Sequence, residues 1–273
     1  MTNDQSNENT GPSETQIDTT VAHPARVYDY WLGGTVNYAA DREAAERVLA
    51  VTPGLRFRVR ANRDFLARTV RYLAAEVGIR QFLDIGTGIP SASNTHEVAQ
   101  QAAPDARIVY VDNDPIVLAH ARELLASAPE GATQYIHGDA RDPGPILAAA
   151  ARTLDFTRPA ALLLLGVLHL ISDAEDPYRI AAGLMAALPA GSYLVISHPA
   201  SDINAAAQAE AQKRYNERVA TPQTLRTRAE VARFFDGLDL VPPGLVYVHT
   251  WRPEDTPPED TTSAYGGVAR KAR

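Results

Sequence analysis

Between residues 81 and 198 one pattern repeats: a short apolar run, a tight turn, then residues at helical spacing. The runs are RQFLDIG, ARIVYVD, TQYIHGD, the strongly apolar RPAALLLLGVLHLI, and GSYLVISH. Each is short and bounded by glycine, proline or aspartate, so each reads as a buried strand. NTHEVAQQAA, DPIVLAHARELLAS, PGPILAAAART and DPYRIAAGLMAALP read as the helices between them. Two of these open on Asp-Pro, with Asp114 expected as a cap and Pro115 at the position where a missing N–H costs nothing. Strands joined through helices lie parallel, and the resulting sheet carries helices on both faces.

The flanks extend this α/β core. RANRDFLARTVRYLAAEVG is a helix stopped by Gly78 and leading into the first strand. NAAAQAEAQKRYNERV is a further helix, and Thr227 with Glu230 forms a capping box for TRAEVARFFDGL. GLVYVHTW and SAYGGVARKAR are two final strands with no helix between them, expected to pair antiparallel. The count is seven strands.

Composition narrows the chemistry. The chain has no cysteine, which excludes disulfides, thiolate nucleophiles and Cys-ligated metals and suits a reducing cytoplasm. No metal is expected. Net charge is −7, unlike a non-specific nucleic-acid binder. No apolar run is long enough for a membrane helix. Residues 1–20 hold four acids, no base and little to bury, and are expected to be a disordered tail. Residues 21–60 are expected as an N-terminal helical lid segment and 61–273 as the ligand-binding domain. A homodimer is compatible with a sequence that carries no signal for or against it.

Three strand ends carry the motifs. In FLDIGTGIPS, Gly86 and Gly88 flank Thr87 and let the backbone turn sharply beneath a ligand. Asp84 precedes them, where it would repel a pyrophosphate but suit a cationic or zwitterionic ligand. The dinucleotide fingerprint also fails, since Ser91 stands where its last glycine should be. In VYVDNDP, Asp112 ends the second strand beside Asn113 and is placed to accept from ribose hydroxyls. In IHGDARD, Asp139 ends the third strand, where its carboxylate could accept from an adenine amino group while the Ala140 N–H donates to a ring nitrogen. Each motif alone could be a plain turn or cap.

Together with ARVYDYWLGGTVNYAADREAAE, RANRDFLARTVRYLA and YGGVARK, these motifs resemble the class I methyltransferases, and within them the S-adenosyl methyltransferase family long catalogued as a domain of unknown function. The resemblance implies a Rossmann-like seven-stranded sheet and S-adenosylmethionine as cofactor. It places Gly86 and Gly88 under the methionyl part, Asp112 at the ribose, and Asp139 with Ala140 at the adenine. Gly166 and Val167 would line the reactive side, with Asn94 and His96 near the methionyl end. The expected activity is methyl transfer to a small-molecule acceptor. The alternatives are a cofactor-binding protein without catalysis, and a nucleotide-dependent oxidoreductase.

A sulfonium methyl needs a base only if the acceptor must lose a proton. His169, directly after the fourth strand, is the candidate; it could equally be a wall residue. His198, after the fifth strand, is a second. Arg56, Arg58, Arg60 and Arg63 form either a solvated face or an anion pocket, with Arg63 the choice for a carboxylate. In RVYDYW, Val27, Tyr30 and Trp31 share one helical face, and Gly33-Gly34 ends the helix. Asp41 is expected to cap the next helix. The segment reads as a lid, with Tyr28, Asn37 and Tyr38 toward cofactor or acceptor, or else as a packing arm that touches no ligand.

Overall fold

The computed structural model describes residues 18–52, 54–91, 93–124, 129–256 and 262–272. The expected tail, residues 1–20, therefore lies almost wholly outside the described residues. The chain is α/β. Parallel strands β1 (Gln81–Ile85), β2 (Arg107–Asp112), β3 (Ala132–His137), β4 (Ala161–Leu165) and β5 (Tyr193–Pro199) stand in the order 3-2-1-4-5. Helices α4 (Thr95–Ala102), α5 (Pro115–Leu124), α6 (Pro143–Ala150) and α7 (Pro177–Ala186) connect them. The winding of the strands across the sheet reverses between β1 and β4, which opens a crevice at the strand ends.

Alternate strand residues feed two separate cores. Leu83, Val109, Leu162 and Leu194 pack to one side, with Ile146 of α6 and Leu184 of α7. Phe82, Ile108, Leu163 and Val195 pack to the other, against Phe65 and Val70 of α3 (Leu55–Arg71) and Val98 of α4. A sheet buried on both faces requires such continuous apolar runs. α3 continues through a wide turn, Tyr72–Val77, and stops at Gly78, whose left-handed backbone (φ 86°) ends it.

The last strand, β8 (Ala264–Arg270), lies antiparallel beside β5 over seven residue pairs. On its other side it pairs with β6 (Asp239–Leu240) and β7 (Val246–Tyr247). Among the described residues the sheet thus has eight strands where seven were expected. β6 left no sequence signal because both its residues are exposed. The expected strand GLVYVHTW is also shortened to two residues. At Val248 the chain coils into a single turn, Arg68 donates to the carbonyls of Val248 and Trp251, and Trp251 is buried against Phe65 and Tyr72.

The N-terminal helices build a third core of their own. α1 (Pro24–Leu32) and α2 (Ala39–Leu49) pack Val27, Trp31, Ala44 and Val48 against Leu55 and Val59 of α3 and Ala211 and Tyr215 of α8 (Ala205–Asn216). Trp31 lies against this satellite, not against the sheet. α3 begins at Leu55, so it runs unbroken across position 60, and the arginine-rich stretch forms its first turns. Asp41 is not the cap of α2. The helix starts two residues earlier, at Ala39, and Asp41 sits one turn in, its carboxylate accepting from the N–H groups of Tyr38 and His23. The capping box at Thr227 and Glu230 opens the short helix α9 (Arg228–Ala232) as expected.

Candidate active site

The glycines at the strand ends do two jobs. Their N–H groups reach sideways to the neighbouring strand: Gly86 to Val111 O (2.8 Å), Gly138 to Asp112 O (3.0 Å) and Gly166 to Ser197 O (3.0 Å). Gly86, Gly88 and Gly166 then turn through left-handed backbone that residues with a side chain rarely adopt. Gly86 has φ 76°, and a Cβ there would stand 2.6 Å from Val167. Gly88, at φ 68°, faces open space. The result is a floor of bare backbone between β1 and β4.

Three acids border that floor, each held differently. Asp112 accepts from Gly88 N (2.8 Å) and Asp114 N (2.9 Å), one on each carboxylate oxygen. Each oxygen keeps a free lone pair. Asp84 is buried and accepts from Thr95 Oγ1 at 2.6 Å. Burial lifts its carboxyl to about 6, against the opposing pull of Thr95 and Arg63. Asp139, at the rim, accepts from Arg141 and Asn113, and these hold it below the usual carboxylate range despite partial burial. Arg141 goes on to Glu175 (2.5 Å) and Leu170 O (2.8 Å), which ties the β3 turn to the segment after β4.

Opposite this strand-built side stands a helix-built side. It consists of His23 to Ala25, Tyr28 and Trp31 of the α1 region, Asn62, Arg63 and Leu66 of α3, His169 to Ile171, and Tyr215, Thr221 and Gln223. Asn62 donates to the Tyr28 hydroxyl (3.0 Å), which donates to Val59 O (3.1 Å). His23 Nδ1 lies 2.9 Å from Asp114, so the start of α1 is anchored beside the Asp112 turn. The His169 imidazole is driven well below its ordinary value, first by burial and then by His198, Arg58 and Arg226. It is neutral at physiological pH, and its Nδ1 has no hydrogen-bond partner.

Of the residues singled out for the cofactor, Asp84, Gly86, Thr87, Gly88, Asp112, Asn113, Asp139, Ala140, Gly166, Val167, Arg63 and Tyr28 all face one crevice. Asn94 does not; it caps α4, with Oδ1 accepting from Ser91 N. His96 is turned inward onto the Tyr110 hydroxyl. Trp31 and His169 face the crevice, but Tyr30, Asn37, Tyr38 and His198 are placed away from it. Tyr30 donates to Glu46, and Asn37 donates to Asp29 and Gly34 O. Tyr38 lies on the surface under the Arg26 guanidinium. His198 is fully buried behind His169, bonded to Pro199 O and Arg226.

Sequence reasoning missed His23, Asn62, Leu66, Arg141, Tyr215, Thr221 and Gln223. Asn62 and Leu66 were within reach as an i, i+4 pair on the helix entering β1. Tyr215, Thr221 and Gln223 had no local signal. Arg226 was missed as well. This side chain is 1% exposed and donates to Leu168 O, Ile171 O and Asp173, fastening the segment that presents His169.

A doubly wound sheet with this reversed last strand, and an acid-lined floor of glycines at its switch point, defines a class I methyltransferase. The sequence pattern of the S-adenosyl methyltransferase family matches residues 10–272, and the chain belongs to that family. Its methyl donor is S-adenosylmethionine. A DUF574 family protein from Streptomyces avermitilis is 47% identical, with a TM-score of 0.90 over 94% of this chain and 100% of that one. A Thermobifida fusca protein provisionally named a methyltransferase is 41% identical, with a TM-score of 0.86 over 94% and 97%. The plantazolicin methyltransferase BpumL, solved with S-adenosylhomocysteine, shares the fold alone, at 12% identity and a TM-score of 0.57 over 91% and 96%. No curated protein matches. Among the described residues no helix is long and apolar enough to cross a membrane.

Proposed function

We propose that the chain transfers the methyl group of S-adenosylmethionine to a small-molecule acceptor held against the helix-built side of the crevice. The observation that carries this reading is the run of three acids, Asp84, Asp112 and Asp139, closing adjacent strands around the Gly86–Gly88 turn. The residues fit the cofactor. No atom lies within 4 Å of where a Gly88 Cβ would stand, so backbone can approach a ligand there. Asp112 would take the ribose hydroxyls on its free lone pairs, and Asp139 with the Ala140 N–H the adenine edge. Asp84 suits the ammonium and Arg63 the carboxylate of the methionyl part, with Gly166 and Val167 bordering it.

Bound there, S-adenosylmethionine supplies an already activated methyl group. The chain's own task is to orient the acceptor and keep water out. α1 does the second by lying over the crevice, with Tyr28 and Trp31 turned in. His169 faces the acceptor side as a neutral imidazole. With its proton affinity so depressed it is a hydrogen-bonding group, and it suits an acceptor that needs no strong base.

Calorimetric titration with S-adenosylmethionine and with NAD⁺ tests the reading. Binding of the first and not the second is expected, and the reverse would overturn it. Formation of S-adenosylhomocysteine with a compound found by mass spectrometry of the purified protein then separates an enzyme from a binding protein.

A further inference from the structure

Thr221 and Gln223 reach the crevice from the irregular segment that follows α8. A segment without regular structure must find partners for its backbone elsewhere. Here they come residue by residue. Asn216, the last residue of α8, holds Gln223 on both sides: its Nδ2 donates to Gln223 O at 3.0 Å, and its Oδ1 accepts from Gln223 N at 2.8 Å. Thr224 N donates to His169 O at 2.7 Å, and Leu225 N donates to Gln212 Oε1 at 3.3 Å. Ahead of Gln223, the ring of Pro222 fixes its own φ. Further back, Ala220 N donates to Ala22 O at 3.1 Å, just before α1.

These ties settle what Gln223 has left to offer. Both polar groups of its backbone are spent on Asn216. Its carboxamide is half-buried and, among the described residues, makes no hydrogen bond to the protein. The Thr224 bond sets it next to His169, on the helix-built side of the crevice. A long side chain loses rotamer freedom when a ligand engages it, and a backbone anchored at three consecutive residues removes part of the ordering cost beforehand. A carboxamide is a flat group with a carbonyl acceptor and N–H donors side by side. The ligand edge that satisfies both carries an N–H next to a C=O, as an amide, a lactam or an imide does.

Resting on the methyltransferase reading above, we infer that Gln223 selects the acceptor by pairing with an amide-type edge on it, and that Asn216 is the positioning residue behind Gln223. The test uses the full chain loaded with S-adenosylhomocysteine, probed by ligand-observed NMR. The probes are benzamide, δ-valerolactam and succinimide, each beside the form fully methylated on nitrogen, which keeps the carbonyl and lacks the donor. At least one N–H probe should bind about tenfold tighter than its methylated form, the worth of one hydrogen bond. Gln223→Leu should erase that preference. Gln223→Glu, which offers acceptors only, should lose it as well, because its carboxylate faces the probe's carbonyl. Asn216→Ala should reduce the preference without abolishing it. S-adenosylhomocysteine affinity, titrated in the same samples, should change less than about threefold in both Gln223 variants and so reports that they are folded. If no N–H probe is preferred in the unmodified chain, or the preference survives in Gln223→Leu, the inference is overturned. A larger loss of S-adenosylhomocysteine affinity in both Gln223 variants would make Gln223 a contact of the cofactor and overturn it too. Failure of S-adenosylhomocysteine to bind the unmodified chain would instead overturn the methyltransferase reading.

Discussion

The two sides of the crevice are built by different means. On the strand side the chain itself makes the surface: glycine backbone, strand-end N–H groups and three acids held by the turns of neighbouring strands and the start of α4. On the helix side the surface is made of side chains brought from α1, α3, α8 and the segments after β4 and α8, held by contacts distant in sequence. Arg58 and Gln208 are 150 residues apart, and Asn62 and Tyr28 are 34 apart. A surface built from backbone tolerates few substitutions at its turns. One built from side chains can be respecified without rebuilding the fold, which suits a common cofactor on one side and a particular acceptor on the other.

The largest effect that could break this contrast is expected at Gly86. In Gly86→Ala the new Cβ would meet Val167 in a left-handed backbone, costing about 2–4 kcal/mol in urea unfolding together with cofactor binding. Val167→Ala in the same chain should recover part of the stability; no recovery would show that crowding is not the cause. On the helix side, Arg226→Met leaves the carbonyls of Leu168 and Ile171 without their donor and should cost about 2–3 kcal/mol. An unchanged unfolding midpoint would mean that the segment carrying His169 is held by something else.

Asp112→Ala should weaken S-adenosylhomocysteine binding on the order of 100-fold by calorimetry, the worth of about two charge-assisted hydrogen bonds. Unchanged affinity would remove Asp112 from the ribose.

Asp84 gives a pH-dependent test. Its folded value of about 6 lies above the ordinary 3.8. Between those values the folded chain keeps a proton that the unfolded chain has released. Stability of the cofactor-free protein should therefore fall as pH rises from about 4 through about 6. The ionised form is the one that pairs with an ammonium, so S-adenosylhomocysteine affinity should rise over the same interval. Asp84→Asn should flatten both curves, and an unaltered affinity profile would assign the titration elsewhere. The smallest effects belong to residues away from the crevice. Asn37→Ala and Tyr38→Ala should change S-adenosylhomocysteine affinity less than twofold, and a tenfold loss in either would return them to the site.

What the sequence determined by itself was whatever repeats locally. Strands β1 to β5, their helices and the antiparallel final strand could be read from apolar runs and turn residues, because burial on both sheet faces forces that pattern. Ten of the crevice-facing positions, those from Asp84 to Val167, were legible for the same reason: a motif at a strand end is placed by its strand. The tertiary structure alone decided the rest. It turned Tyr38 to the surface and Trp31 into a satellite core, although the two lie seven residues apart. It set His198 behind His169, and it brought Gln223 beside His169. No local pattern encodes these outcomes, because each depends on which distant side chain occupies the neighbouring space. The glycine turns carry their geometry within a few residues, whereas the helix-built side of the crevice exists only once α1, α3 and α8 have packed together.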